Sequence, residues 1–302
     1  MTLKKKRSMR LPAFAKINLC LHVLGRRPDG YHELRTIFQT ISLCDTLELS
    51  LTRDSGGVKI FLKSNDPQLP VGRENLVSRA IEAVALEIGF QGSVSAFLDK
   101  RTPVARGLGG GSSDAAAALI AMLRLTETKL PLPRLMEIAS KLGSDVPFFL
   151  FGGRALAVNR GDEIYPLADT PRRTVVVVSP KGLGVSTRDA YQWLSAELTN
   201  REKAPTIWKF CALCWSRQGT LSNDFEGPVF SRHPRLKQIR DGLLMQGAAD
   251  AALAGSGSAV FGIFQNPARA RRAARAFPED SVFVVETLSR ERYGRAIGWR
   301  VP

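Results

Sequence analysis

Two charged side chains and one glycine cluster are placed to do chemistry in this chain. Lys16 stands in the alternating run Ala13-Phe14-Ala15-Lys16-Ile17-Asn18, and Asp145 in Gly143-Ser144-Asp145-Val146-Pro147. Between them lies Pro103-Val104-Ala105-Arg106-Gly107-Leu108-Gly109-Gly110-Gly111-Ser112-Ser113-Asp114, followed by Ala115-Ala116-Ala117-Ala118-Leu119. Glycines packed this densely cannot hold a helix or a strand, because each costs backbone entropy and offers no side chain. The residues that follow are strong helix formers, with Ser112, Ser113 and Asp114 as candidate caps. A glycine loop feeding a helix start presents unpaired N–H groups and the positive end of a dipole, which together suit a phosphate.

The cluster fits neither common nucleotide fingerprint. A Walker A loop needs Lys then Ser or Thr after its last glycine, and Gly111 is followed directly by Ser112. A Gly-x-Gly-x-x-Gly count from Gly107 puts Ser112 at the third glycine. The His-Arg-Asp and Asp-Phe-Gly signatures of protein kinases are absent. Asp145 has two readings: the N-cap of a helix opened by Pro147, or a carboxylate that accepts a proton.

The elements that must position these groups can be read from periodicity. From Ala13 to Val23 a strand alternates. Ala13, Ala15, Ile17, Leu19, Leu21 and Val23 form an apolar face, while Lys16 and Asn18 point away from that core, toward solvent or a cleft. The turn Arg27-Pro28-Asp29-Gly30 delivers Tyr31 and His32. Strands are expected at Thr36–Leu43, Thr46–Leu51, Val58–Leu62 and Val94–Leu98, and helices at Leu76–Ile88, after the glycine loop, and at Leu135–Leu142. Further on, strands at Thr174–Val178, Ala251–Leu253, Ala259–Phe264 and Ser281–Leu288 alternate with helices. These helices are capped at Ser186-Thr187, span Pro205–Gln218, or start near Pro234 and at Pro267. Ser222–Glu226 reads as a loop. The pattern predicts an α+β chain of two domains, 1–160 and 161–302, the second a ferredoxin-like layer.

A net charge of +15 over 302 residues implies attraction to polyanions: nucleotides, phosphorylated metabolites or nonspecific nucleic acid. Met1 to Arg10 reads as a basic tail with no cleavage site after it, and no segment is apolar enough to span a bilayer, so an unexported, cytoplasmic protein is expected. The four cysteines suggest no disulfide framework in a chain this size, and Cys211-Ala-Leu-Cys214 reads as a pair of small core residues.

Three segments in order resemble the motifs of the galactokinase, homoserine, mevalonate and phosphomevalonate (GHMP) kinase superfamily: Ala15-Lys16-Ile17-Asn18-Leu19, Pro103 to Asp114, and Leu253-Ala254-Gly255-Ser256-Gly257-Ser258-Ala259-Val260-Phe261. Pro28-Asp29-Gly30-Tyr31-His32, Gly143 to Phe149 and Ser222-Asn223-Asp224 resemble the branch that phosphorylates 4-diphosphocytidyl-2-C-methyl-D-erythritol in the non-mevalonate isoprenoid route. The resemblance implies an N-terminal domain like domain 2 of ribosomal protein S5, a ferredoxin-like C-terminal domain and an active site between them. It implies that Pro103, Val104, Ala105, Arg106, Gly107, Leu108, Gly109, Gly110, Gly111, Ser112 and Ser113 hold ATP, that Asp145 is the base, and that Lys16 stabilises charge. By the same resemblance Asn18, Tyr31, His32, Thr187 and Tyr191 hold the cytidylylated substrate. Gly255, Ser256 and Gly257 form the third-motif loop, and Mg²⁺ accompanies ATP with Ser113 as a candidate ligand. Arg106, where small residues are common, either touches phosphate or points outward. Either a monomer or a homodimer is compatible with this reading. Two alternatives stay open: another kinase of the superfamily, of homoserine or mevalonate type, and a basic nucleic-acid-binding protein of the S5-like fold.

Overall fold

The computed structural model describes residues 6–198 and 221–300. The helix expected at Pro205–Gln218, Cys211, Cys214 and the tryptophan-bearing stretch Lys203–Arg217 lie outside the described residues. Two long strands organise the fold: β1 (Arg7–Arg26) and β2 (His32–Arg53), antiparallel throughout. β2 is one strand rather than two, and β1 takes in Arg7 and Arg10, which the sequence reading placed in a tail. Arg7 is anchored by an ion pair to Glu127 at 3.0 Å. The second half of β2 pairs with β4 (Gly92–Asp99), which pairs parallel with β3 (Val58–Ser64). The first half of β2 pairs with β5 (Arg154–Val158), itself paired with β6 (Glu163–Pro166), a strand not anticipated from sequence. A two-residue strand, β8 (Ser222–Asn223), closes the sheet beside β1, where a loop was expected.

The second sheet has the order β11-β7-β10-β9, from β7 (Thr174–Ser179), β9 (Asp250–Leu253), β10 (Val260–Phe264) and β11 (Ser281–Glu286). Its recorded pairings are antiparallel, so chain order reads 4-1-3-2, the ferredoxin-like arrangement. Helices α1 (Leu76–Glu87), α2 (Gly110–Thr126) and α3 (Leu132–Leu142) cover the first sheet, and the single turn α4 (Phe148–Phe151) follows. Helices α5 (Thr187–Leu198), α6 (Glu226–Arg232), α7 (Pro234–Met245) and α8 (Pro267–Ala274) cover the second. The last helix, α9 (Arg290–Ile297), returns to the first core, where the Tyr293 hydroxyl donates to the Phe149 carbonyl. Neither α6 nor α9 was anticipated.

β1 does not keep one apolar face. Bulges between Phe14 and Lys16 and between Asn18 and Cys20 re-aim it, so that Ala13 and Phe14 join the first core together. Ala15 and Ile17 enter a cluster between the two sheets with Ile41, Val175, Val177 and Phe261, and Leu21 and Val23 reach the core of the second domain. Cys20 packs with Ile37 and Leu156 in a further small cluster, so one strand serves four, and the bulges turn Lys16 and Asn18 into the molecule rather than toward water. α2 is buried on every side, and its alanines allow the close approach to both sheet and neighbouring helices.

Cys44 is a free, half-buried thiol.

Because Ile17 is fully buried between the sheets, Ile17→Ala is expected to cost about 2–5 kcal/mol. A lowered urea midpoint with an unchanged slope checks this; an unchanged midpoint would mean that the inter-sheet cluster contributes little.

Candidate active site

The glycine loop leaves β4 and turns into α2 through three left-handed residues, Ala105, Gly107 and Gly109 (φ 56°, 79° and 71°). At Gly107 glycine is obligatory twice over: a Cβ there would fall 1.8 Å from the Ala254 carbonyl oxygen, so the loop backbone lies directly on the third-motif loop. Gly257 makes the reciprocal approach, where a Cβ would fall 2.2 Å from the Gly107 nitrogen. Arg106 holds the two loops together. Its carbonyl accepts from Ala259 N–H at 3.2 Å, and its guanidinium donates to Ser258 Oγ at 2.6 Å. Ser258 Oγ in turn donates to the Leu183 carbonyl.

α2 begins at Gly110, with Gly109 as N-cap and no side-chain cap bond. Ser112, Ser113 and Asp114 therefore lie inside the helix, Asp114 beyond its first turn, and do not cap it, because the left-handed turn at Gly109 has already started the helix. The first-turn N–H groups of Gly110, Gly111 and Ser112 have no carbonyl one turn earlier and stand at the wall of a cleft of about 1470 Å³. The same cleft is lined by Lys16, Asn18, Tyr31, His32, Pro103 to Ser112, Asp145, Thr187, Tyr191, Gly255 and Ser256. Of the positions read from sequence, Ser113 and Gly257 lie behind its wall. Ser113 Oγ is buried with no hydrogen-bond partner among the described residues.

Lys16 is 4 % exposed. Its Nζ donates to Asn18 Oδ1 at 2.8 Å, lies 3.4 Å from Asp145 Oδ2, and sits 5.0 Å from the centre of the Phe38 ring. Its backbone N–H donates to the Leu108 carbonyl, tying β1 to the glycine loop. Asn18 Nδ2 donates to Thr36 Oγ1, which fixes the amide so that its oxygen faces the ammonium. Asp145 does not cap α4, whose N-cap is Pro147 with no side-chain bond; its carboxylate pairs with Lys16 instead.

Asn223 also braces the site. Its Nδ2 donates to the carbonyls of Leu253 and Gly255, and so shapes the third-motif loop from behind. Ser256 Oγ donates to Thr187 Oγ1 at 3.2 Å, joining that loop to the start of α5.

The far end of the cleft is aromatic. His32 stacks on Tyr191 with ring centres 4.6 Å apart, and Tyr191 meets Phe225 edge-on at 4.8 Å. Burial and the nearby Asp145 push the Tyr191 phenol up, so it stays protonated, and burial followed by Arg26 pushes the His32 imidazole down. Tyr31 is half exposed and carries the Arg160 guanidinium over its ring at 4.8 Å. Asp29 Oδ1 accepts from Tyr31 N–H, and Arg27 pairs with Glu33 at 2.8 Å, so the turn is held before any ligand arrives.

One group under the phosphate loop has no counterpart in the sequence reading. Lys100 Nζ lies 2.5 Å from Asp45 Oδ2 and 2.8 Å from Asp114 Oδ2, all three side chains being buried. Asp45 Oδ1 also accepts from the N–H groups of Arg101 and Thr102, fixing the chain where it enters the loop. Burial opposes the Lys100 charge, but the two carboxylates outweigh it and the ammonium pKa is raised. Burial pushes the Asp114 carboxyl up to about 7, against the pull of Lys100. Lys100 was visible as the residue leading into the loop, whereas Asp45 sits in a strand with no local signal.

The sequence matches the model of the GHMP kinases N terminal domain over residues 75–153 and that of the GHMP kinases C terminal domain over residues 207–281. With both parts in order around one cleft, the protein is a small-molecule kinase of the GHMP class. A protein of Solibacter usitatus named 4-diphosphocytidyl-2-C-methyl-D-erythritol kinase is 46 % identical over 97 % of this chain and 92 % of its own length. One of the same name from Geobacter metallireducens is 39 % identical over 92 % and 97 %. A crystal structure of 4-(cytidine 5'-diphospho)-2C-methyl-D-erythritol kinase superposes with a TM-score of 0.77 at 37 % identity, covering 92 % of this chain and 99 % of that one. The homoserine kinase of Cytophaga hutchinsonii shares the fold at a TM-score of 0.70 and 17 % identity. The chain belongs to the 4-diphosphocytidyl-2-C-methyl-D-erythritol kinase family.

The buried carboxyl of Asp114 generates a pH prediction. Its folded-state pKa of about 7 lies above the unfolded value of 3.8, so the native state binds this proton more tightly. Its contribution to stability therefore falls as pH rises from about 4 to about 7. Asp114→Asn is expected to flatten that fall, measured by urea unfolding across the window; an unchanged slope would show that Asp114 is ionised throughout.

Proposed function

We propose that this protein transfers the γ-phosphoryl group of ATP to the 2-hydroxyl of 4-diphosphocytidyl-2-C-methyl-D-erythritol, giving the 2-phosphate and ADP, in the non-mevalonate route to isoprenoid precursors. The observation that carries the chemistry is the Lys16–Asp145 pair, 3.4 Å apart, in the same cleft as the uncapped start of α2. Asp145 accepts the proton of the attacking hydroxyl. Lys16, with one N–H given to Asn18 and one toward Asp145, keeps a third for the phosphoryl oxygens, where negative charge grows in the transition state. The N–H groups of Gly110, Gly111 and Ser112 and the α2 dipole hold the phosphates in line.

Mg²⁺ fits this arrangement. Phosphates and water would supply its ligands; Ser113 Oγ, buried with no hydrogen-bond partner among the described residues, stands behind the cleft wall rather than in it. The described residues contain no cluster of His, Cys, Asp and Glu that would make an all-protein metal cage. When bound, the ion neutralises phosphate charge. The aromatic end formed by Tyr31, His32 and Tyr191 suits a planar base, which favours the cytidylylated substrate over homoserine or mevalonate. No helix among the described residues is long and apolar enough to cross a membrane, and we place the enzyme in the cytoplasm with its soluble substrates.

Purified protein should release ADP from ATP with the cytidylylated substrate and not with homoserine or mevalonate. Asp145→Asn should lower kcat by roughly 10²–10⁴-fold with an unchanged thermal midpoint. Full activity in a folded Asp145→Asn protein would remove Asp145 from the role of base, and absence of turnover by the parent protein would reject the substrate.

A further inference from the structure

Ser195, on α5, touches two parts of the aromatic end. Its Oγ donates to the Tyr191 carbonyl one helical turn back at 2.8 Å, and the same oxygen stands 3.1 Å from His32 Nε2. A hydroxyl has one proton and two lone pairs. With the proton committed to Tyr191, Oγ can only accept from His32, so the imidazole carries its hydrogen on Nε2. A neutral imidazole has one N–H, which leaves Nδ1 a bare acceptor. Burial and the charge of Arg26 both favour the neutral ring, and stacking on Tyr191 fixes its plane. His32 and Ser195 both line the cleft.

We propose that Ser195 is a positioning residue that determines which pyrimidine the cleft accepts, by holding His32 in the tautomer whose Nδ1 accepts a hydrogen bond. The inference rests on the proposed kinase activity toward a cytidylylated substrate and adds the device that reads the base. A bare nitrogen takes the 4-amino group of cytosine. Uracil presents a carbonyl at that position, which sets two acceptors against each other out of water. A site built around one hydrogen-bonding pattern rejects the analogue that leaves a polar group unpaired. Without the Ser195 hydroxyl no hydrogen bond among the described residues holds the proton on Nε2, and His32 can turn an Nδ1–H toward the uracil carbonyl.

The test compares kcat/KM for the cytidine substrate and for its uridine analogue in the parent protein, Ser195→Ala and Ser195→Thr. The parent should prefer cytidine. Ser195→Ala should lower that preference at least tenfold, through KM for the pyrimidine substrate, with KM for ATP and kcat on the cytidine substrate held, and Ser195→Thr should restore it. ¹⁵N shifts of the imidazole give a readout independent of turnover, and the chain has only three histidines to assign. Free protein should show Nδ1 unprotonated, and Ser195→Ala a mixture of tautomers. An Nδ1–H tautomer in the parent, or an unchanged cytidine-to-uridine ratio in Ser195→Ala, would overturn the proposal. Turnover of neither pyrimidine substrate by the parent would count against the kinase reading instead, and the ¹⁵N spectrum would still decide the tautomer.

Discussion

A lysine ammonium taken almost wholly out of water must be given partners, and the site depends on how Lys16 is given them. Its oxygen partners come from β1 itself, through Asn18, and from the loop after α3, through Asp145, while the Phe38 ring closes one side. An unpaired buried ammonium would cost several kcal/mol, so the position of Asp145 is bound to the position of β1. The same residue's backbone N–H fastens the glycine loop through Leu108. The ammonium, the Asp145 carboxylate and the glycine loop are thus referred to one point on one strand.

The second constraint is backbone contact between the two halves of the molecule. The glycine loop and the third-motif loop approach so closely that Gly107 and Gly257 admit no Cβ, and Arg106 stitches them through Ser258. Behind them, Ala15 and Ile17 of the first sheet pack on Val175, Val177 and Phe261 of the second. Arg106 therefore holds the glycine loop's outer edge to the second domain through Ser258. Under the same loop, the Asp45–Lys100–Asp114 cluster fixes where β4 ends and α2 begins. The aromatic end is likewise organised in advance, with Tyr31 held from its turn and covered by Arg160, and His32 stacked on Tyr191.

Local chemistry made much of this legible. Dense glycine before an alanine-rich run means a loop and a buried helix whatever surrounds them, and Gly89, left-handed at φ 62°, follows the end of α1 by the same backbone logic. The 4-1-3-2 sheet follows from the alternation of strands and helices after residue 174, and Tyr31 and His32 follow from the turn that presents them. These features depend on neighbours in the chain, and so a linear reading reaches them.

What the tertiary structure alone decided is every feature set by contact at a distance. Alternation placed Lys16 and Asn18 off the apolar face of β1, but the bulges that turn them into a buried cleft arise from pairing with β2. Asp145 read equally as a helix cap or a proton acceptor; the fold removes the cap, because its carboxylate meets Lys16 and α4 starts from Pro147 with no side-chain bond. Ser112, Ser113 and Asp114 looked like caps, yet the left-handed turn at Gly109 starts the helix earlier and sends Asp114 down to Lys100. Asp45, Arg160 and Ser195 carried no local signal at all: their partners lie tens to more than a hundred residues away, and only folding makes them neighbours. The sequence determined which groups were available to bind phosphate and move a proton; the fold determined which of them meet.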